Sequence, residues 1–159
     1  MKPATVKQLK DELKNRSSKE LLELCLRLSK FKKENKELLT YLLFESTDEA
    51  NYIEEIKTEI DEAFGEIKST SYYFINKKIR KILRRIKTYI RYSLNKETEI
   101  ELLIYFCTKL KNFQPSIRHS TGLQNLYYRQ IAFIEKKVGA LHEDLQYDFG
   151  VELERLEDL

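Results

Sequence analysis

The side chains with the widest chemical reach are few here and stand apart. The chain has two histidines, His119 and His142, and two cysteines, Cys25 and Cys107. Metal sites favour ligands one helical turn apart or in short Cys-x-x-Cys runs, and the sequence has neither spacing. His142-Glu143-Asp144 gathers three ligand types, but consecutive residues of a helix point in different directions. His119, between Arg118 and Ser120, reads as a surface residue. Both cysteines lie within apolar helical stripes. There a thiol is inert, and both read as buried thiols of a reducing compartment rather than as a disulfide. Glycine occurs singly, at 65, 122, 139 and 150, so no loop can cradle a phosphate. Glu54, Glu55, Glu59 and Glu62 share a helical face, and such runs are ordinarily solvated. No catalytic residue, cofactor-binding residue or metal ligand is assigned. No enzyme activity, cofactor or small-molecule ligand is expected.

One charged feature stands above the background. Between Lys77 and Arg91 there are eight cations and no acid. Lys77, Arg80, Lys81, Arg84, Arg85, Lys87 and Arg91 form the candidate binding surface. Cations in such a row can neutralise phosphates, and Tyr72, Tyr73, Tyr89 and Tyr92 stand near enough to stack on bases. The preceding segment is its opposite: Glu45 to Glu66 holds nine carboxylates and one lysine. A helical hairpin turning near residue 70 would set Asp61 and Glu62 beside Lys77 and Lys78. It would also set Glu55 beside Arg84, Glu54 beside Arg85 and Asp48 beside Arg91. Mutual neutralisation within this hairpin is the first reading of the basic helix. Binding of a protein partner and then of nucleic acid follow. Attachment to a membrane surface is set aside, since it needs a free apolar stripe that the core requires.

The elements that must position these residues are helices. Gly and Pro together number only six, and Leu, Ile, Lys and Glu dominate, a composition that favours long helices. Charged residues make up 35% of the chain for a net charge of only +3, which describes a surface laced with both signs rather than a polycation. The helix-start signals are Thr5, the Ser17–Glu20 capping box and Ser46-Thr47-Asp48-Glu49. Ser69-Thr70-Ser71 and the loop around Pro115 are the breaks. Helices are predicted over 5–14, from 17, around 38–44, from about 48 to 68, over 72–95, over about 97–111, and from about 122 onward. Gly139 is a weak point in the last of these, and Phe149-Gly150 marks a further break. Leu38–Phe44 is the most apolar stretch and is placed at the centre of the core. The predicted core comprises Leu24, Leu28, Leu39, Leu42, Phe44, Ile56, Ile60, Phe64, Ile79, Ile82, Leu83, Ile86, Leu103, Phe106, Ile131 and Ile134. Tyr127, Tyr128, Tyr147 and Phe149 read as core edge ahead of an interface patch.

The expected architecture is all-α: a single-domain helical bundle over 1–159, of about six to eight helices with mostly antiparallel neighbours. Its ends, 1–4 and about 155–159, are expected to fray. No secretory leader or membrane span is read, since Lys2, Pro3 and a charged helix follow Met1, and a cytoplasmic location is expected. Leu9-Lys10-Asp11-Glu12-Leu13-Lys14 followed by Ser18-Lys19-Glu20-Leu21-Leu22 is superficially similar to a SAP module, a DNA-binding helix pair. Asn15-Arg16-Ser17 replaces the glycine between that module's helices and the second helix is too long, so the match is rejected. Leu21-Leu22-Glu23-Leu24 through Lys33-Glu34-Asn35-Lys36-Glu37-Leu38-Leu39, with Leu141-His142-Glu143-Asp144-Leu145-Gln146, resembles uncharacterised helical proteins of bacterial genomes. That resemblance implies a bacterial all-α protein and carries over no site. The functional expectation is a non-enzymatic interaction or scaffold protein that binds another protein or itself. The alternative is a nucleic-acid-binding module using Lys77–Arg91.

Overall fold

Most of the helices start where a side chain can satisfy the free N–H groups of the first turn; α3 and α5, which follow Lys32 and Ser71, have no such side-chain cap. The computed structural model describes residues 1–159 and contains eight α-helices and no strand. Helix α1 is Val6–Lys14, capped by Thr5 and Gln8 in a reciprocal box, and α2 is Ser18–Phe31, capped in the same way by Ser17 and Glu20. Helix α3, Lys33–Thr40, ends in a π-helical turn, Tyr41–Glu45. Asp48 caps α4, Glu49–Gly65, and α5 is Tyr72–Ser93. Asn95 caps α6, Lys96–Lys111. A short 3-10 turn, Ile117–His119, leads into α7, Thr121–Val138, and α8 is Glu143–Glu154. Helix α7 ends at Val138 with Gly139, the weak point of the sequence, at its C-cap, and α8 runs through Phe149-Gly150 without the predicted break.

The chain divides into two compact units, Met1–Phe44 and Glu45–Leu159, where the sequence reading treats 1–159 as one helical domain. In the first unit α2 packs on α3, and Asn35 Nδ2 donates to the Leu28 carbonyl at 2.9 Å to fix the joint between them. Arg16 links α1 to α2 by pairing with Glu12 and Glu20 at 3.6 and 3.5 Å. No residue of α1 or α3 is buried, and in α2 only Ser29 is.

The second unit carries the core. Helix α6 contacts α4, α5 and α7, and α8 packs on α7. Ile100, Leu102, Leu103, Phe106, Cys107 and Leu110 of α6 are all at most 1% exposed, so this helix is apolar on more than one face, as a central helix must be. Polar ties give the directions. Glu59 and Tyr52 of α4 meet Arg85 and Tyr89 of α5, and Glu49 meets Ser93, so these two helices run antiparallel. Glu49, Lys57 and Asp61 meet Thr98, Glu101 and Lys109 in turn, so α4 and α6 run parallel. Glu99 of α6 pairs with Lys137 near the end of α7 at 2.8 Å, which makes those two antiparallel. Gly122 lets α7 begin hard against α5: a Cβ there would lie 3.0 Å from Asn76 Nδ2.

The core expectations divide at the same boundary. Ile56, Ile60, Phe64, Ile79, Ile82, Leu83, Ile86, Leu103, Phe106, Ile131 and Ile134 are buried. Leu24, Leu28, Leu42 and Phe44 are exposed, and Leu39 is only half-buried. The centre of the core is therefore α6, not Leu38–Phe44. Tyr127 and Phe149 are buried, whereas Tyr128 and Tyr147 are exposed. Truncating the ring at the hub tests this assignment. Phe106 is 0% exposed and packs against Phe64 with ring centroids 5.9 Å apart. Phe106→Ala is expected to cost about 3–5 kcal/mol in urea denaturation.

Candidate functional site

The charge pairing of α4 decides what α5 presents. Every partner assigned to the basic helix from hairpin geometry is engaged elsewhere or lies apart. Asp61 binds Lys109 at 2.8 Å and accepts from the Tyr105 hydroxyl at 2.8 Å. Glu54 pairs with Lys57 at 2.8 Å, and Lys57 reaches Glu101 of α6 at 2.7 Å. Glu55 accepts from Asn51, and Asp48 caps α4 through the Asn51 N–H. Glu62 is exposed and forms no ion pair with Lys77 or Lys78. Only Arg85 meets an acid of α4, and that acid is Glu59, at 3.4 Å, not Glu54. Arg85 also lies over the Tyr89 ring, 4.2 Å from its centroid, while the Tyr89 hydroxyl donates to Glu59. Burial and the Glu59 carboxylate together push the Tyr89 phenol above its ordinary value.

The acids turned toward α6 because α6 offers bases and hydroxyls at matching heights, one turn after another. Partial burial alone would raise Asp61, but the hydrogen bonds from Lys109 and Tyr105 outweigh it and hold the carboxyl below its ordinary 3.8. Lys57 is likewise held above its ordinary value by Glu101 and Glu54, against the pull of desolvation.

Of the candidate surface, then, Lys77, Arg80, Lys81, Arg84, Lys87 and Arg91 stay exposed, and Arg85 is drawn into the α4–α5 seam. The exposed six share one side of α5. The other side, Ile75, Ile79, Ile82, Leu83, Ile86 and Ile90, is buried. Tyr89 and Tyr92 pack edge to face with ring centroids 6.2 Å apart, and Tyr92 is buried. Of the four tyrosines named as stackers, only Tyr73 is well exposed, at 72%. Tyr72 donates to the Ser116 carbonyl at 2.7 Å.

A second surface, in the first unit, escaped the sequence reading. Helices α1 and α2 flank a groove of about 880 Å³ whose floor is Leu9, Leu13, Leu24, Leu28 and Phe31. Leu28 and Phe31 are 62% and 77% exposed. Glu23 and Arg27 stand on its rim, and neither forms an ion pair. The signal was present in the spacings 9–13 and 24–28–31. Periodicity marks an apolar face but does not say whether anything covers it.

The remaining candidates resolve simply. No three His, Cys, Asp or Glu side chains come together as a metal-holding group, and no helix is long and apolar enough to cross a membrane. His142 caps α8, accepting from the Asp144 N–H at 3.4 Å. Cys107 is buried, and burial pushes its thiol up to about 12. Cys25 is exposed, contrary to the buried thiol expected from its stripe, because its face of α2 is uncovered. No family model, curated protein or solved structure matches this chain.

Two measurements follow from this geometry. A thiol reagent such as dithionitrobenzoate is expected to label Cys25 at once and Cys107 only upon unfolding, read as one fast and one denaturant-dependent thiol. A carboxyl whose folded pKa is depressed stabilises the fold above its unfolded value, and that stability is lost as pH falls through the folded value. Urea midpoints are therefore expected to drop on acidification below about pH 4, and Asp61→Asn is expected to flatten that acid limb.

Proposed function

We propose that this chain is a non-enzymatic helical interaction protein that assembles through its N-terminal unit, and that the partner is a second copy of itself. The observation that carries the reading is the uncovered α1–α2 groove in a 44-residue unit, Met1–Phe44, whose helices bury almost nothing. Units of this size need help beyond their own core, and oligomerisation is one common source. Contiguous exposed apolar surface with a polar rim marks an interaction site.

The rim favours a second copy over an unrelated helix. Glu23 and Arg27 lie one helical turn apart with opposite charges and do not pair with each other. About a two-fold axis, the Glu23 of each copy faces the Arg27 of the other, which is the self-complementarity an isologous interface requires. A cytoplasmic setting belongs to the same reading, because an exposed free thiol at Cys25 suits a reducing compartment.

Sedimentation velocity over roughly 1–100 µM protein, a range that brackets dissociation constants of weak and firm dimers, tests the proposal. A reversible dimer is expected. Leu24→Glu with Leu28→Glu should give a monomer with unchanged helicity. Arg27→Glu should weaken the dimer, and adding Glu23→Arg should restore it. A monomer throughout that range, or a dimer indifferent to both sets, overturns the reading.

A further inference from the structure

The exposed side of α5 is a row of positive charge without an internal counter-charge. Lys77, Arg84 and Arg91 repeat every two turns, and Arg80, Lys81 and Lys87 fill the turns between. At 1.5 Å per residue the row is about 21 Å long. Arg80 donates to Asn76 and Arg91 to Thr88, both uncharged partners within α5 itself. Lys87 lies 5.8 Å from the centroid of the Phe133 ring. None of the six has a carboxylate at ion-pair distance. Like charges three and four residues apart oppose helix formation, so the row gains from an external polyanion.

Tyr73 extends this row by one turn at its N-terminal end. Its ring is exposed and is braced edge to face by Phe74, with centroids 5.2 Å apart. Together with Asn76, Lys77 and Arg80 it borders an open hollow of about 470 Å³. An exposed aromatic ring continuous with a line of cations is the arrangement by which proteins hold single strands: charges track the backbone and rings take the bases.

We propose that the outward face of α5 binds single-stranded nucleic acid, with the six cations on successive phosphates and a base stacked on Tyr73. An anionic membrane fits less well, because the isoleucine side of α5 is buried and no apolar face is left to insert. An acidic protein would find no apolar anchor along Lys77–Arg91, whereas protein interfaces centre on such anchors. The site lies in the Glu45–Leu159 unit and does not depend on self-association through the groove.

Fluorescence anisotropy of a labelled oligothymidylate of about 20 nucleotides, titrated with the full chain, tests this. Binding is expected at low salt. The log–log salt slope should be about −4, as for six neutralised phosphates of a single strand. Arg80→Glu with Arg84→Glu and Arg91→Glu should weaken binding about 100-fold or more. The same charge change placed at Lys10, Lys14 and Lys19 should weaken it only severalfold. Tyr73→Ala should weaken binding about tenfold without changing the salt slope, and Tyr73→Phe should restore it. Circular dichroism confirms that each variant keeps its helices. The proposal is overturned by absence of binding at low salt, by equal losses from the two triple charge reversals, by an unaffected Tyr73→Ala, or by capture on phosphatidylserine vesicles without oligonucleotide binding.

Discussion

The second unit is organised by the burial of α6. A helix with apolar residues on several faces cannot sit at a surface, so α4, α5 and α7 must each give it a face. What orients those neighbours is a short set of polar ties at the edge of the apolar contact. Glu49, Lys57 and Asp61 of α4 climb α6 through Thr98, Glu101, Tyr105 and Lys109. Exposed ion pairs of this kind add little free energy, on the order of 0–1 kcal/mol each. Their effect is on register: they select which side of α4 faces α6.

That selection reaches α5. An acid can serve one neighbour well, and α4 directs most of its ordered acids inward along α6 or back along its own axis. Glu59 crosses to α5, where Arg85 and Tyr89 share it, and Glu49 reaches the Ser93 hydroxyl at the end of that helix. The net charge of the chain, +3, gives no hint of this. The charges nearly cancel over the molecule, yet the exposed cations of α5 have no carboxylate within ion-pair distance.

Much of this was legible in the sequence, and the illegible part has a physical reason. Thr5, Ser17 and Asp48 cap their helices as read, because side-chain capping is a local interaction. The isoleucine stripe of α5 and the Ile56–Ile60–Phe64 stripe of α4 are buried as their spacing implies. Ion pairing is not local. Glu54 has a lysine three residues on and an arginine across the hairpin, and spacing cannot choose between them. Nor can it separate a stripe that is left uncovered from one that is packed: Leu24 and Leu28 lie at helical spacing, as Ile79 and Ile86 do, yet the leucines are exposed and the isoleucines buried. Cys25 went the same way. The density of leucine around α2 implies an interior, and the structure places it at a surface.

The position of α6 along the chain has a consequence in time. Residues 96–111 are made after α4 and α5, and a ribosome adding about 5–20 residues per second leaves those two helices without their common support for seconds. Their isoleucine faces can close on each other in that interval, but the final register waits for Thr98, Glu101 and Lys109 to arrive. Helices α1 and α2 precede all of these in the chain. The exposed leucine face of α2 is thus made before the part of the chain with a core has been synthesised.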